Sequence, residues 1–319
     1  MRVLLTGAGG FIGAHIARAL LARGTEVHAV ELDRSCVPRL EALAAELTLH
    51  EADLLDPAAV ARVVSAVEPE ACIHAAWYAV PGKYLDSPLN LSHVAASLDL
   101  AQRLVHVGCT RFVGLGTCFE YDTSSAAPLR ESSPTRPRSL YATSKLALHD
   151  MLSAYAPLAK TSFAWCRIFY QYGPMEAPER LVPHVIDRLL GGGVAETTEG
   201  GQVRDFMHVA DVGAAVAAVA LSELEGAVNI GSGVPVTVRE LVGAIARICE
   251  AEDRVRFGAI PYRAGDPMYV CADTEKLSRT GFARRFDLEA GLRDTVRDRR
   301  DLRDLRDRPA LRAPGGGLA

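Results

Sequence analysis

The chain has 319 residues, of which 49% are hydrophobic and 23% are charged, and its formal net charge at pH 7 is −4. This length allows one large hydrophobic core, or a large domain with a smaller partner. The weakly negative charge argues against a nucleic-acid surface, and the most apolar run, residues 212–221, is too short to span a membrane. We therefore expect a soluble, cytoplasmic protein that binds neither nucleic acid nor membrane.

Seven cysteines are present, and no two of them form a Cys-x-x-Cys pair. Several lie in apolar runs typical of buried strands, so free thiols in a reducing compartment account for them. We expect no metal site.

The chain opens with an apolar strand, residues 3–5, followed by three spaced glycines and a helix whose apolar positions include Ile12, Ile16 and Leu20. Glycine allows sharp turns and close approach of a ligand, and the start of a helix attracts an anion such as a pyrophosphate. This strand, loop and helix predict a dinucleotide site. The expected contacts of the loop are Gly7, Gly10, Phe11, Ile12 and Gly13.

The second strand, residues 26–30, ends at Glu31. A carboxylate at this place accepts hydrogen bonds from the adenosine ribose hydroxyls and repels a 2′-phosphate, which favours NAD. Arg34 follows closely and would offset that repulsion, so NADP remains an alternative. Glu31 as a solvated strand end is the other interpretation.

The third strand, residues 47–50, is followed by Asp53 and Leu54, which would meet the adenine in a doubly wound sheet. Capping of the next helix by Asp56 and Pro57 is a second, compatible interpretation of this segment.

The fourth strand, residues 71–75, ends in two small residues, Ala75 and Ala76, which would let the cofactor lie close. His74 lies within the apolar strand and is expected to pack rather than to react.

A long helix, residues 89–107, precedes the fifth strand, residues 111–115, and Thr117 follows that strand. Strands that alternate with helices indicate parallel βαβ units. We predict an α/β fold, a Rossmann-type doubly wound parallel sheet with a smaller C-terminal substrate-binding lobe. Ligands then bind beyond the carboxyl ends of the strands.

Tyr141 and Lys145 lie four residues apart on a predicted helix that continues to about residue 155, so they share one face. Free tyrosine has a pKa near ~10 and is a poor base at neutral pH, but a neighbouring ammonium and a cationic nicotinamide favour its phenolate. Together with the hydroxyl of Thr117, this pair predicts an acid/base site.

Regular alternation ends after a sixth strand, residues 161–169. We predict a dinucleotide-binding domain over residues 1–173 and a substrate-binding lobe over residues 174–297, with segments such as 205–231 returning to the main sheet. A last helix is expected over residues 287–296, and the charged tail 298–319 is expected to be disordered. Three arginines of the second lobe would bind a diphosphate: Arg180, Arg204 and Arg263.

These features resemble the extended short-chain dehydrogenase/reductase family of nucleotide-sugar epimerases, dehydratases and 4-ketoreductases, over roughly residues 1–297. The resemblance rests on Thr6-Gly-Ala-Gly-Gly-Phe-Ile-Gly13, Ala52-Asp-Leu54, Tyr141-x-x-x-Lys145, Arg167 with Tyr172-Gly-Pro174, Arg204-Asp-Phe-Met-His-Val209, Asn229-Ile-Gly-Ser-Gly233 and Arg263-Ala-Gly-Asp266. It implies a nucleoside-diphosphate sugar substrate and hydride transfer at hexose C4.

The resemblance also implies roles for individual residues. Tyr141 would be the acid/base, Lys145 would hold the nicotinamide ribose and lower the pKa of the tyrosine, and Thr117 would orient the reacting oxygen. Arg204 and Arg263 would bind the diphosphate. A homodimer would form through the helices at about 89–107 and 140–156.

Departures from the family pattern narrow the reaction. The 4,6-dehydratases carry an Asp-Glu pair directly after the threonine. In this chain those two places hold Cys118 and Phe119, which are expected to contact the substrate, and Glu120 stands one place further. Strand alternation would turn Glu120 away from the sugar, so elimination lacks its base. Ala95 and Arg180 stand where epimerases often carry asparagine.

The stretches 180–183 and 77–84 look more like 4-ketoreductases of deoxysugar pathways. The sequence therefore favours NAD(P)H-dependent reduction of a 4-keto hexose, with Tyr141 as proton donor. A 4-epimerase with retained NAD is a close alternative, and a dehydratase or a non-catalytic NAD(P) sensor is a minor one.

Overall fold

The computed structural model describes residues 1–33 and 37–307. Arg34, the expected counterweight to Glu31, and Cys36 lie outside the described residues. A parallel sheet of seven strands forms the centre of the fold. Its strands are β1 (Arg2–Thr6), β2 (Glu26–Glu31), β3 (Thr48–Glu51), β4 (Ala71–His74), β5 (Arg111–Thr117), β6 (Ser162–Ile168) and β10 (Gly226–Ile230).

The strand order is β10-β6-β5-β4-β1-β2-β3, so the winding reverses between β1 and β4. The helices that cover the sheet are α1 (Phe11–Leu21), α2 (Pro57–Val67), α3 (Leu89–His106), α4 (Leu140–Ala159) and α6 (Val209–Ala220). This arrangement confirms the predicted doubly wound α/β fold. Ligands in such folds bind where the winding reverses, at the carboxyl ends of the strands.

Both faces of the central sheet are buried. Val3 and Leu5 pack in the core that contains residues of α1 and α6, whereas Leu4 packs in a second core with residues of α2, α3 and α4. Successive side chains of a strand point to opposite faces, so a strand covered on both faces is apolar throughout. The continuous apolar runs in the sequence have this cause.

The second part of the chain forms a smaller sheet and its own core. Its strands are β7 (Tyr170–Tyr172), β8 (Ala195–Glu196), β9 (Val203–His208), β11 (Pro235–Thr237), β12 (Val255–Arg256) and β13 (Tyr269–Val270), where β8 and β12 pair separately. Its helices are α5 (Leu181–Leu190), α7 (Val238–Ile248), α8 (Glu275–Ser278) and α9 (Leu288–Asp307). The 3₁₀ turns of the chain span residues 38–43, 118–120 and 252–254.

The segment 205–231 is divided between the two sheets. β9 belongs to the small sheet, whereas α6 packs on α1 and β10 pairs with β6 at the edge of the main sheet. The close approach of α6 requires Gly213, because a Cβ there would lie 2.5 Å from the backbone of His15. The expected division at residue 173 stays a prediction.

The expectation of a disordered tail from residue 298 is wrong for its first ten residues. Helix α9 continues to Asp307. Its apolar side includes Leu292 and Val296, both fully buried, and Arg299 forms an ion pair with Asp187 of α5, Nε to Oδ1 at 2.8 Å. This contact with α5 stabilises the end of α9, which its alternating charges alone would predict to be frayed. Residues 308–319 lie outside the described part of the chain.

Six cysteines of the described residues are buried free thiols, as expected: Cys72, Cys109, Cys118, Cys166, Cys249 and Cys271. None of the helices within residues 1–33 and 37–307 has the length and apolar character needed to cross a membrane.

Candidate active site

Two adjoining cavities open at the carboxyl edge of the central sheet, with volumes of about 620 and 490 Å³. After the ligands that the sequence predicts for them, we call the first the dinucleotide cavity and the second the sugar cavity. The first is lined by the predicted cofactor residues Gly7, Gly10, Phe11, Ile12, Gly13, Glu31, Asp53, Leu54, Ala75 and Ala76. The second is lined by Thr117, Cys118, Phe119, Tyr141, Lys145, Arg180, Arg204 and Arg263. Residues predicted from distant parts of the sequence therefore meet at one place.

The glycine loop leaves no room for side chains. Gly7 has φ of +69°, and a Cβ on it would lie 2.7 Å from the backbone of Ala76. A Cβ on Gly13 would lie 2.0 Å from the carbonyl oxygen of Gly7. Helix α1 begins after Gly10, which provides no side-chain cap, and no acidic residue lies in its first turn. The uncapped N–H groups and the positive end of the helix dipole therefore suit a pyrophosphate.

Glu31 lies at the end of β2 and lines the dinucleotide cavity. Its Oε1 accepts a hydrogen bond from the backbone N–H of Gly9 at 2.6 Å. Burial raises the pKa of this carboxyl, and the Gly9 bond opposes that effect. The group is thus fixed at the rim of the cavity by the glycine loop.

Arg39 also lines this cavity and was missed by sequence reasoning. Its guanidinium donates to the carbonyl oxygen of Gly9 at 3.3 Å and to that of Met175 at 2.8 Å. No local pattern marks this arginine, because its partners are 30 and 136 residues away along the chain. It brings a cation to the cavity that contains Glu31.

Asp53 and His74 show how polar groups near the cavity are satisfied. Asp53 Oδ1 accepts from Leu55 N at 2.8 Å, and Asp56 caps α2 through Ala58 N at 2.9 Å. His74 is 2% exposed and bonds to the hydroxyls of Thr6 and Ser97 at 2.8 Å each. Burial lowers the pKa of His74 to about 3, so it packs as a neutral ring, as expected.

Tyr141 and Lys145 lie on the first turns of α4, which begins after the cap Ser139. Burial raises the pKa of Tyr141, and a hydrogen bond with the Thr117 hydroxyl opposes this. Lys145 Nζ donates to the carbonyl oxygen of Leu115 at 2.8 Å. Burial lowers the pKa of Lys145 to about 7, while Glu120 acts in the opposite direction. A hydroxyl, a phenol and an amine therefore converge beside the end of β5.

Aromatic side chains from the loop after β4 enclose this group. The ring of Trp77 lies 3.7 Å from Lys145 Nζ, and the ring of Tyr84 meets that of Tyr141 edge-on at 4.8 Å. Asn90, fully buried, accepts from Trp77 Nε1 at 2.8 Å and donates to the carbonyl oxygen of Tyr84 at 2.7 Å. Trp77 and Tyr84 line the sugar cavity, and Asn90 holds both in place.

Glu120 faces away from the sugar cavity, as expected, but for a different reason. Residues 118–120 form a 3₁₀ turn rather than a strand, with Thr117 and Glu120 as a reciprocal capping pair. The Glu120 carboxylate is fully buried and accepts from Thr117 N at 2.9 Å, from Trp165 Nε1 at 3.0 Å and from Arg167 Nε at 2.7 Å. These three donors hold the carboxylate in the core, away from the sugar cavity.

The remaining predicted substrate residues differ in their surroundings. Burial raises the pKa of the Cys118 thiol to about 12, which keeps it protonated and unreactive. Arg204 is 5% exposed and already pairs with Asp266, Nη2 to Oδ1 at 2.8 Å. Arg180 lies at the start of α5, 5.5 Å from the ring of Tyr84, and lines both cavities.

The family model described as "NAD dependent epimerase/dehydratase family" matches residues 3–231. The UDP-glucose 4-epimerase of Bacillus subtilis is 30% identical over 311 residues, which cover 88% of this chain and 91% of that protein. The UDP-glucose 4-epimerase of Erwinia amylovora is 30% identical over 305 residues, with 86% and 90% covered.

Among solved structures, the Thermus thermophilus UDP-glucose 4-epimerase in complex with NAD has a TM-score of 0.82 and 30% identity, over 94% of this chain and 99% of that chain. The dTDP-glucose 4,6-dehydratase DesIV of Streptomyces venezuelae with bound NAD has a TM-score of 0.84 and 29% identity, over 96% and 98%. These relatives do not support the ketoreductase that the sequence favoured. The epimerase alternative fits them better.

Proposed function

The chain belongs to the NAD-dependent epimerase/dehydratase family, and from that premise we propose that it is a nucleotide-sugar 4-epimerase that retains NAD. The single observation that favours an epimerase is the similarity over most of the chain to UDP-glucose 4-epimerases. Thr117, Tyr141 and Lys145 converge where the sugar cavity adjoins the dinucleotide cavity and would supply the groups for hydride transfer at C4. A sugar carbon held there would lie between the acid/base tyrosine and the hydride carrier.

The proton is handled by Tyr141. In the proposed reaction its phenolate removes the proton of the C4 hydroxyl and later returns it to the C4 oxygen. Burial opposes the phenolate. The Thr117 hydroxyl and the Lys145 ammonium, four residues along the same helix face, favour it. NAD held in the dinucleotide cavity would supply a hydride acceptor for C4 that can return the hydride to the other face of the sugar, and its cationic ring would also favour the phenolate.

A second proposed role of Lys145 concerns the cofactor. Its Nζ is anchored on Leu115 O and covered by Trp77, so the amine cannot swing away from the boundary of the cavities. We propose that it also holds the nicotinamide ribose. Holding the sugar and the nicotinamide in the reactive orientation supplies much of the rate enhancement in reactions of this type.

Elimination of water has less support. A dehydratase needs an acid and a base beside the threonine, and the side chains there are a buried thiol and a phenyl ring, those of Cys118 and Phe119. Glu120 is the nearest carboxylate in sequence, and its three hydrogen-bond donors hold it in the core.

The substrate is proposed to be a nucleoside-diphosphate hexose. Arg180 and Arg263 line the sugar cavity and would bind the diphosphate bidentately. Arg204 contributes through its pair with Asp266, which fixes the guanidinium at the cavity wall. Because the named relatives act on UDP-glucose and dTDP-glucose, both nucleosides enter the test.

The test is direct. Purified protein is incubated with UDP-glucose, UDP-galactose and their dTDP counterparts without added cofactor, and the C4 epimers are separated and quantified. We expect interconversion, and Tyr141→Phe should reduce kcat by about 10²–10⁴-fold. Tyr155→Phe, a change on the same helix outside the sugar cavity, should leave kcat unchanged. Full activity of Tyr141→Phe, or consumption of NADH with a 4-keto sugar and no epimerisation, would refute the proposal.

A further inference from the structure

The boundary between the two cavities contains a carboxyl group that the mechanism above does not use. Glu176, on the turn after β7, is 8% exposed and lines both the dinucleotide cavity and the sugar cavity. Its Oε2 is buried and has no hydrogen-bond partner among the described residues. A buried polar atom without a partner is costly, so its partner is expected to be a ligand.

The turn that carries Glu176 is fastened to the glycine loop. Met175 adopts a left-handed conformation with φ of +62°, which is unfavourable for a residue with a side chain. Its carbonyl oxygen accepts from Arg39, which also donates to Gly9, and its N–H donates to Asp298 at 3.1 Å. These bonds link the turn that carries Glu176 to the glycine loop, and both segments line the dinucleotide cavity.

Charged groups of three neighbouring elements lie near Glu176. Arg180 at the start of α5 and Arg299 of α9 favour its anion, Arg39 lies on the turn of residues 38–43, and Asp298 of α9 bonds the neighbouring backbone. Burial outweighs Arg180, a backbone hydrogen bond with Gly173 and Arg299, and raises the pKa of Glu176 to about 8. At neutral pH the group is therefore mostly a neutral acid, with one O–H to donate.

We propose that Glu176 is a binding residue for the dinucleotide and that its neutral carboxyl donates a hydrogen bond from Oε2 to a phosphate oxygen of the bound pyrophosphate. The inference rests on the proposed binding of NAD. An ionised carboxylate at this place would repel the phosphate, whereas the neutral acid satisfies both its own buried oxygen and the ligand.

Because nucleotide binding and protonation of Glu176 are linked, the proposed role predicts the direction in which affinity changes with pH. The phosphate stabilises the protonated form, so the pKa of Glu176 is higher in the complex than in the free protein. Affinity is then constant below the pKa of the free protein and falls as pH rises through it, by up to about tenfold per pH unit, until the pKa of the complex is reached. Binding above neutral pH takes up a proton.

The experiment measures NADH affinity by the fluorescence of the bound nucleotide from about pH 6 to about pH 9.5. Where purified protein retains its nucleotide, the rate of displacement by excess NADH replaces the affinity. For the unaltered protein we expect a loss of affinity of about tenfold between about pH 7 and about pH 9. Glu176→Gln, which still donates but cannot ionise, should lose most of this dependence, and the remainder is that of Lys145, whose pKa is about 7.

The matched control is Glu179→Gln, an exposed carboxylate on the same segment that lines the sugar cavity but not the dinucleotide cavity, and its NADH affinity should keep the pH dependence of the unaltered protein. Proton uptake, measured calorimetrically in two buffers of different ionisation enthalpy, needs no variant and should be seen with NADH.

A pH-dependent affinity for UDP but not for NADH would move the contact of Glu176 to the substrate and overturn the assignment. A pH-independent NADH affinity, or equal dependence in Glu176→Gln, would overturn this inference alone. Absence of any NADH binding would refute the proposed function as well.

Discussion

Removing Arg167 should test whether the buried ion pair behind Thr117 supports the site. Arg167 Nε lies 2.7 Å from the Glu120 carboxylate, and the two side chains are 3% and 0% exposed. Replacing the arginine by methionine fills much of the volume but leaves an uncompensated buried charge. Breaking such a pair costs about 3–5 kcal/mol. Because whole proteins unfold at a cost of about 5–15 kcal/mol, Arg167→Met should be severely destabilised.

The assay is urea unfolding followed by tryptophan fluorescence. Trp165 is a suitable probe because its indole N–H donates to Glu120. The matched control is Arg103→Met, which removes an ion pair with Asp99 on α3 whose two side chains are each 33% exposed. Solvent-exposed helical ion pairs contribute little to stability, so the control should unfold close to the unaltered protein.

A double variant separates the unpaired charge from lost packing. Glu120→Gln combined with Arg167→Met removes the charge and keeps an oxygen that can accept from Thr117 N and Trp165 Nε1. It should regain most of the stability that Arg167→Met loses. A loss below about 1 kcal/mol in Arg167→Met, or no recovery in the double variant, would refute this reasoning.

Three further predictions concern the cofactor loop, the aromatic wall and the assembly. Gly13→Ala should abolish NADH binding measured by fluorescence, because its methyl would lie 2.0 Å from the Gly7 carbonyl oxygen; retained affinity would contradict this. Trp77→Leu removes a cation–π contact with Lys145 worth up to about 2 kcal/mol and should lower kcat by at least about tenfold, with Trp77→Phe less affected. Equal kcat values for the two variants would exclude that contact as the cause. The exposed Met151 of α4 is proposed to lie in a homodimer interface, so Met151→Asp should raise the dissociation constant in sedimentation by at least about tenfold; a monomeric unaltered protein would contradict it.

Features with a local chemical cause were predictable from the sequence. The glycine loop, Glu31 and the Tyr141–Lys145 spacing are short patterns, and the alternation of strands and helices brings them to one edge of the sheet. Thr117 was found for the same reason, since it directly follows an apolar strand. Their roles in binding and catalysis stay predictions.

Features that depend on distant partners were not predictable. Arg39, Trp77 and Glu176 gain their positions from bonds to the glycine loop, to Asn90 and to neighbouring turns, and nothing next to them in the sequence indicates this. The predicted last helix ended too early for the same reason. The continuation of α9 depends on the ion pair of Arg299 with Asp187 of another helix. Resemblance in the short stretches 77–84 and 180–183 favoured a ketoreductase, whereas similarity over most of the chain favours an epimerase.

The central claim is that hydride leaves C4 and returns to the same carbon on the same enzyme. The most direct measurement uses a nucleotide hexose deuterated at C4, incubated with the protein without added cofactor, followed by mass and NMR analysis of the product. An epimerase that retains NAD should give the C4 epimer with the deuterium still on C4 and no net change in the absorbance of reduced nicotinamide. Release of a 4-keto sugar, with the deuterium transferred to exchangeable cofactor, would contradict the account.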